Sequence, residues 1–145
     1  MSFEHRVKTE VSQWVRDILY MQTKYGVRKW VQDPANKDKL SDFLKFRLDF
    51  LVEELGETLE ASANNDPEEI VDGLIDICVV AIGTLLAFDI DPDRAWNEVH
   101  KANMAKEVGV KKERPNPLGL PDLHKPEGWK APSHKGNHGD LTNNI

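Results

Sequence analysis

The sequence predicts an all-α protein in which four helices form a bundle, followed by an irregular C-terminal tail. Apolar residues recur at helical spacing over most of residues 1–106, no segment alternates with the period of a strand, and the links between the helices are short. The chain has 145 residues, of which 39% are hydrophobic and 30% charged, so a single domain with a modest core is expected.

The first predicted helix spans about residues 3–25 and carries one apolar stripe at helical spacing. The members of this stripe are Val7, Val11, Trp14, Val15 and Ile18. Gly26 is expected to end the helix. Residues 27–39 are expected to be a loop or a short irregular link, because Asp33-Pro34 is a turn signal.

The second predicted helix begins at Ser41, a good N-cap residue, and runs to about Ala63. Five leucines at helical spacing are expected to form its core-facing stripe. These are Leu44, Leu48, Leu51, Leu55 and Leu59.

The third and fourth predicted helices both start with an Asp followed by a Pro. The third spans about residues 67–88 and is capped by Asp66, with Glu69 three residues after the cap. The fourth spans about residues 92–106 and is capped by Asp91. The sequence therefore places a helical domain at residues 1–106.

Residues 107–145 have a different composition, because five of the eight prolines lie between Pro115 and Pro132. Such a tail cannot form a core of its own, so it is expected to pack on the bundle or on a partner subunit. The single Cys78 excludes an intramolecular disulfide framework. No signal peptide or bilayer-length apolar run is seen, and a cytoplasmic location is expected.

The charge of the chain is unevenly distributed. Its net value of −6 argues against a nucleic-acid polymer as the main partner. Residues 42–76 hold eleven Asp and Glu but only two Lys and Arg. Either solvent absorbs the repulsion within this acidic segment or a cation binds there.

Three glutamates lie together in the second predicted helix, at Glu53, Glu54 and Glu57. At about 100° per residue they form one band beside the leucine stripe, with Glu54 at its margin. Lysines would usually relieve such a band, but no Lys or Arg occurs between Arg47 and Arg94. The band is consistent with a solvated acidic face or with a cation site.

Two aspartates of the third predicted helix, Asp72 and Asp76, lie four residues apart on one face. Apolar neighbours surround Asp76, and a helix that is apolar on nearly all sides is buried. An ionised carboxylate there requires a shared proton, a distant basic partner or a metal ion. Glu69 is ambiguous, because acids in a first helical turn also favour the helix dipole.

A short connection makes the second and third helices antiparallel, so their carboxylates can face each other. An all-oxygen pocket suits hard cations, and magnesium prefers a few carboxylates with water and substrate phosphate. Zinc is not expected, because Cys78 lies in an apolar run and the histidines are scattered. A di-iron site is not expected, because the Glu-x-x-His pairs of such bundles are missing.

Three segments share the pattern of one protein family. They are E-E-L-G-E at residues 53–57, residues 72–106, and KPEGWKAP at residues 125–132. Together they resemble the MazG-like all-α nucleoside triphosphate pyrophosphohydrolases of the phage and bacterial type. The likeness covers the E-E-x-x-E motif, the third and fourth helices with the phosphate-contacting residues, and the tail of that family.

One position departs from the family pattern. Many members carry E-x-x-D on the third helix with the Asp at the place of Asp76, which puts Gly73 at the Glu position. The resemblance then implies that Asp72 supplies the missing ligand, or that Glu69 and Asp72 form the pair in another register.

The resemblance implies magnesium-dependent cleavage of a nucleoside triphosphate between its α and β phosphates, with Mn²⁺ as a substitute for Mg²⁺. The implied metal ligands are Glu54, Glu57, Asp72 and Asp76. Glu53 or Glu54 would orient or deprotonate the attacking water.

Substrate contacts are expected at four positions: Lys101, Asn103, Lys106 and Trp30. The first three lie at the end of the fourth helix and would meet phosphates, although cations there also serve ordinary helix ends. Trp30, like Trp129, lies in a basic irregular segment, where the ring either stacks on a base or anchors a loop.

Two other functions are compatible with the sequence. One is phosphoribosyl-ATP pyrophosphohydrolysis, and the other is a non-catalytic helical module whose acidic face binds a cation or a basic partner. A homodimer or homotetramer is expected, because the third helix is apolar on too many sides for one neighbour to cover. Members of the family that the sequence resembles are dimeric or tetrameric.

Overall fold

The computed structural model describes residues 11–109, 118 and 122–144. Its elements are α1 (Gln13–Lys24), α2 (Val27–Gln32), a 3₁₀ helix (Pro34–Lys39), α3 (Leu40–Ala63), α4 (Pro67–Ala87), α5 (Pro92–Met104), β1 (Glu107–Gly109), β2 (Asp122–His124) and α6 (Leu141–Asn144). The mostly helical content confirms the all-α class. The start of the first predicted helix lies outside the described residues.

The chain forms two compact units. One consists of Met1–Asp93 with Gly136–Ile145, and the other of Arg94–Lys135. The first unit contains α1 to α4 and α6, and the second contains most of α5 and both strands.

The segment between α1 and α3 is helical, so the prediction of a loop or irregular link there is wrong. Gly26 has a φ of +73°, a left-handed conformation that separates α1 from α2. Asp33 caps the 3₁₀ helix by accepting a hydrogen bond of 2.9 Å from the N–H group of Ala35. That helix runs directly into α3 at Leu40, so the prediction of Ser41 as the N-cap is also wrong.

Both Asp-Pro helix starts are confirmed, because α4 begins at Pro67 and α5 at Pro92. The Asp66 carboxylate accepts a hydrogen bond of 3.2 Å from the N–H group of Glu69 and so caps α4. The helix α4 is long and apolar enough to cross a membrane. Core helices of soluble proteins can have the same length and composition.

The helices α3 and α4 form an antiparallel hairpin, the most extensive helix pair of the described chain. Near their connection Gly73 lies directly against Thr58. Toward the other end Arg47 donates a hydrogen bond of 3.1 Å from Nε to the hydroxyl of Thr84. These two contacts fix the register of the hairpin.

The buried face of α3 differs from the predicted leucine stripe. Leu48, Leu55 and Leu59 are 50%, 51% and 63% exposed, so the prediction that they face the core of the chain is wrong. The buried residues of α3 are Leu40, Thr58 and Ala61. Because apolar side chains occur on several sides of α3, their spacing does not select one face, whereas small side chains let α4 approach closely.

Two clusters of buried side chains form the core of the first unit. One consists of Val31, Leu40, Ala87, Phe88 and Ile90. The other consists of Val15, Ile18 and Leu86. Both clusters include the C-terminal part of α4, which is therefore held by α1, α2 and α3 together.

The end of the chain packs on the C-terminal end of α4. Asp140 donates its backbone N–H to the carbonyl of Phe88 at 2.7 Å, and its carboxylate accepts a hydrogen bond of 3.2 Å from Arg28. Gly139 has a φ of +53°, and a Cβ atom there would collide with the Phe88 carbonyl oxygen. Only glycine fits this close approach.

In the second unit β1 and β2 form an antiparallel pair, with Glu107 opposite His124 and Gly109 opposite Asp122. These strands were not predicted from the sequence, because strands of three residues are too short to show alternation.

Candidate active site between α3 and α4

The facing sides of α3 and α4 carry the acids that the sequence singled out. Glu54 is half-buried and lies one helical turn before Thr58, on the same face of α3. Thr58 lies against Gly73, which directly follows Asp72 and lies three residues before Asp76. The helix contact therefore brings Glu54 close to both aspartates.

The electrostatics of Glu54 reflect this proximity. Partial burial raises the pKa of its carboxyl group, and the negative charges of Asp76, Glu57, Glu53 and Asp72 raise that pKa further. Because two of these charges lie on α4, the pKa of one carboxyl group depends on both helices. We call these five acids the acidic groove.

No acid of the groove forms an ion pair with another part of the described chain. Arg47, the nearest basic residue along α3, donates instead to the hydroxyl of Thr84 and, at 3.4 Å, to the carbonyl of Val80. Burial lowers the pKa of this guanidinium group. Among the described residues, therefore, no neighbouring cation offsets the negative charge of the groove.

The acids of the groove are not gathered into a coordination shell. Within the part of the chain that the structure describes, no group of three or more His, Cys, Asp or Glu side chains is close enough to hold a metal ion. Asp76 is half-buried, whereas Glu53, Glu57 and Asp72 are exposed. The donor set fits a hard cation, but exposed side chains would have to change rotamer to share one ion.

Glu69 lies in the first turn of α4, three residues before Asp72. Its N–H group is bonded to the cap residue Asp66, and its side chain is exposed. An acid in this position is accounted for by the positive end of the helix dipole.

The contact between α3 and α4 explains the glycine that departs from the family pattern. A Cβ atom at Gly73 would overlap the hydroxyl of Thr58. That hydroxyl is fixed by a hydrogen bond of 2.7 Å to the carbonyl of Glu54. A glutamate at position 73 would therefore require the two helices to move apart.

Trp30 lies on α2 in the first unit, where its ring centroid is 5.4 Å from that of Phe43. Its carbonyl accepts a hydrogen bond of 3.0 Å from the side chain of Asn36. Trp30 is thus anchored in the fold, while 39% of it stays exposed.

The three remaining predicted substrate contacts lie in the second unit. Lys101 and Asn103 are exposed in the last turn of α5. Lys106 follows the helix and places its ammonium nitrogen 5.6 Å from the ring centroid of Trp129. Trp129 is therefore a neighbour of a predicted phosphate contact.

Thr58 and Arg47, which both face α4, were not predicted as site residues from the sequence. Arg47, Glu54 and Thr58 occupy positions i, i+7 and i+11, which share one face of a helix. This spacing was a usable signal, but the stronger leucine pattern pointed to another face.

The mostly helical fold is consistent with the phosphoribosyl-ATP pyrophosphohydrolases, a family of the MazG-like all-α nucleoside triphosphate pyrophosphohydrolase superfamily. The chain belongs to the phosphoribosyl-ATP pyrophosphohydrolase family of that superfamily, whose sequence pattern matches residues 31–103, half of the chain. The protein is therefore a hydrolase that acts on a phosphoanhydride bond. The family generally depends on a divalent cation. No individual curated protein and no solved structure gives a significant match.

Proposed function

We propose that this protein is a magnesium-dependent nucleoside triphosphate pyrophosphohydrolase that converts a (d)NTP to a (d)NMP and pyrophosphate. The observation that carries the proposal is the packing of Thr58 on α3 against Gly73 on α4, which brings Glu54 toward Asp72 and Asp76. Membership of the family supplies the phosphoanhydride chemistry. The acidic groove supplies the place at which a cation and a triphosphate can meet.

Glu54, Glu57, Asp72 and Asp76 are the residues that would hold the divalent cation, either Mg²⁺ or Mn²⁺ as its substitute. When bound, the cation neutralises phosphate charge and lowers the pKa of a coordinated water. Without a cation the groove repels a triphosphate, because both carry negative charge. Substrate binding is therefore expected to require the metal.

Glu53 and Glu54 are the candidates for general base. The carboxylate takes a proton from water while the water oxygen attacks the α phosphorus, and pyrophosphate leaves with the electrons of the broken P–O bond.

Lys101 and Lys106 are proposed to act as point charges on phosphate oxygens, and Asn103 as a hydrogen-bond donor. The exposed part of Trp30 is proposed to contact the base.

Phosphoribosyl-ATP is the second candidate substrate, and the family match favours it. It carries the same triphosphate, so the acidic groove would act on it in the same way. The identity of the substrate therefore has to come from direct comparison.

A substrate panel tests the proposal. The purified protein is incubated with each dNTP, each NTP and phosphoribosyl-ATP in the presence of Mg²⁺, and the products are separated by anion exchange. Glu54→Ala is compared with Glu60→Ala, a matched change at an exposed acid of α3 outside the groove. Wild type and Glu60→Ala are expected to release monophosphate and pyrophosphate, whereas Glu54→Ala is expected to release neither. A wild type that releases no more monophosphate than Glu54→Ala would disprove the proposal.

We also propose that the protein forms a homodimer or homotetramer. Eight large apolar side chains of α3 and α4 are exposed in the single chain: Phe46, Leu48, Val52, Leu55, Leu59, Val71, Leu74 and Ile75. Apolar side chains exposed in this number usually mark an interaction surface. A second copy of the hairpin has the same apolar character and would cover them.

A further inference from the structure

Residues 125–135, which we call the strap, lie along α5. Three hydrogen bonds join the two: Trp129 Nε1 to the Ala102 carbonyl at 2.8 Å, Ser133 N–H to the Glu98 carboxylate at 3.4 Å, and the Arg94 guanidinium to the Lys135 carbonyl at 2.7 Å. Positions 94, 98 and 102 are four residues apart and share one face of the helix. The strap is therefore tied to α5 once per helical turn.

A tight turn places Trp129 at the first of these ties. Its N–H group donates to the carbonyl of Pro126 at 3.0 Å, and Gly128 within the turn has a φ of +76°. A glycine with positive φ at the third position is what a type II turn requires. The backbone of the strap therefore positions the indole ring.

The indole N–H completes the hydrogen bonding at the end of α5. The last carbonyls of a helix have no partners within it. The Lys101 and Asn103 carbonyls accept hydrogen bonds of 3.2 and 3.1 Å from the residues that follow the helix. The Ala102 carbonyl, which lies between them, is bonded to Trp129 instead. Trp129 thus fixes the turn on which Lys101 and Asn103 lie.

The Trp129 ring also lies among lysines. Its centroid is 5.6 Å from the Lys106 ammonium nitrogen and 4.9 Å from that of Lys125, distances at which a cation is attracted by a π face. The strap and α5 border a cavity of about 520 Å³, whose lining includes Lys101 and Lys130 as well as Glu98 and Glu127. Two ammonium groups therefore lie within reach of the Trp129 ring.

We propose that Trp129 is a positioning residue for the phosphates of the nucleotide: it completes the last turn of α5 and holds Lys106 beside its ring, so that Lys101 and Lys106 meet a polyphosphate in fixed positions. This inference rests on the proposed function. With two ammonium groups at its ring, Trp129 acts through these lysines rather than by stacking on the base.

Two variants separate the two contacts of Trp129. Trp129→Phe keeps an aromatic ring and loses the N–H donor, whereas Trp129→Leu loses both. Trp96→Phe is the matched control, because Trp96 lies on α5 outside the strap and is 69% exposed. The measurements are kcat and KM for the accepted triphosphate and the inhibition constant of pyrophosphate.

Trp129→Phe is expected to raise KM and the pyrophosphate inhibition constant roughly threefold to tenfold, the equivalent of one hydrogen bond. Trp129→Leu is expected to raise both further, with little change in kcat, while Trp96→Phe resembles wild type. Wild-type constants in both Trp129 variants would overturn the inference. If Trp129→Leu does not fold, the constants of Trp129→Phe alone test the inference.

A double-mutant cycle with Lys106→Met distinguishes positioning from a general loss of structure. If Trp129 acts through Lys106, the effect of Trp129→Leu is smaller in the Lys106→Met background. An equal fold-change in both backgrounds overturns the inference.

Calorimetric titration with pyrophosphate gives an outcome that does not depend on turnover. If the wild type hydrolyses no nucleotide, the proposed function is disproved. The affinity for pyrophosphate then still tests whether Trp129 positions the lysines. Weaker binding by Trp129→Phe than by wild type supports the inference. Equal binding, or no binding by wild type, overturns it.

Discussion

At the scale of single residues, Glu54 is the group on which the charges of two helices act. Its pKa is raised, so its ionised form is less stable in the folded chain than in the unfolded chain. This destabilisation is fully present above the folded pKa. It disappears as the pH falls through the folded pKa toward the unfolded value, because protonation removes the repulsion.

Glu54→Gln is therefore expected to raise the melting temperature in metal-free buffer at neutral pH. The gain over wild type should shrink as the pH is lowered through the folded pKa of Glu54. Thermal unfolding followed by circular dichroism in EDTA, at several pH values, measures this difference. Glu60→Gln, outside the groove, controls for the general loss of one negative charge. Equal melting temperatures of wild type and Glu54→Gln at neutral pH would show that repulsion among the acids of the groove does not destabilise the fold.

Asp76→Asn is expected to lower metal-dependent kcat by at least about 100-fold, because loss of even an outer-shell partner of a metal ligand can cost that much. The substitution removes charge from a half-buried site, so the metal-free fold should be as stable as wild type or more so. Initial rates at saturating Mg²⁺, together with a thermal melt, give both quantities. Wild-type turnover by a folded Asp76→Asn protein would show that Asp76 is not part of the active site.

At the scale of elements, the α3–α4 hairpin determines which acids meet. Small side chains allow the close approach, because Gly73 leaves room for Thr58. Glu54 on one helix and Asp72 and Asp76 on the other are then within electrostatic reach. The groove is therefore a property of helix packing as much as of the acids themselves.

Gly73→Ala is expected to destabilise the protein by about 1–3 kcal/mol, the usual cost of overpacking. Gly56→Ala is the matched control on α3, where a Cβ atom meets nothing within 4 Å and should stabilise by about 0.5–1 kcal/mol. Urea denaturation measures both. Combining Thr58→Ala with Gly73→Ala should restore part of the loss, because the overlapping hydroxyl is then removed. A Gly73→Ala protein as stable as wild type would show that the helices are not in close contact here.

The sequence predicted those parts of the elements that depend on local chemistry. Asp66 with Pro67 and the N–H group of Glu69 form a cap within four residues, so the start of α4 was predictable. The buried face of α3 was not, because it depends on which neighbour packs against a helix that is apolar on several sides. Ser41 failed as a cap because the preceding 3₁₀ helix already leads into α3.

At the scale of the whole molecule, long-range contacts lay beyond the reach of the sequence analysis. Arg28 and Asp140 are 112 residues apart in the chain, yet their hydrogen bond joins the C-terminal segment to α2. The acids of the groove were identified from the sequence, whereas their register across the hairpin required the structure. The division into residues 1–106 and 107–145 stays a prediction.

Self-association is expected to give a mass above the 16.5 kDa of one chain in light scattering coupled to size exclusion. Leu55→Glu should reduce the assembly, because a charge would be buried in the apolar face of the hairpin. Tyr20→Glu, at a 76% exposed position of α1, is the control and should leave the mass unchanged. A wild-type mass of 16.5 kDa at high protein concentration would exclude a stable dimer or tetramer.

Whether a divalent cation binds between α3 and α4 is tested most directly by paramagnetic broadening in NMR spectra. Substoichiometric Mn²⁺ should broaden the amide signals around Glu54, Glu57, Asp72 and Asp76 before those of other acidic segments, and Glu54→Gln should need more Mn²⁺ for the same effect. Broadening that spreads evenly over the exposed acids, with Glu54→Gln indistinguishable from wild type, would contradict a cation site in the groove.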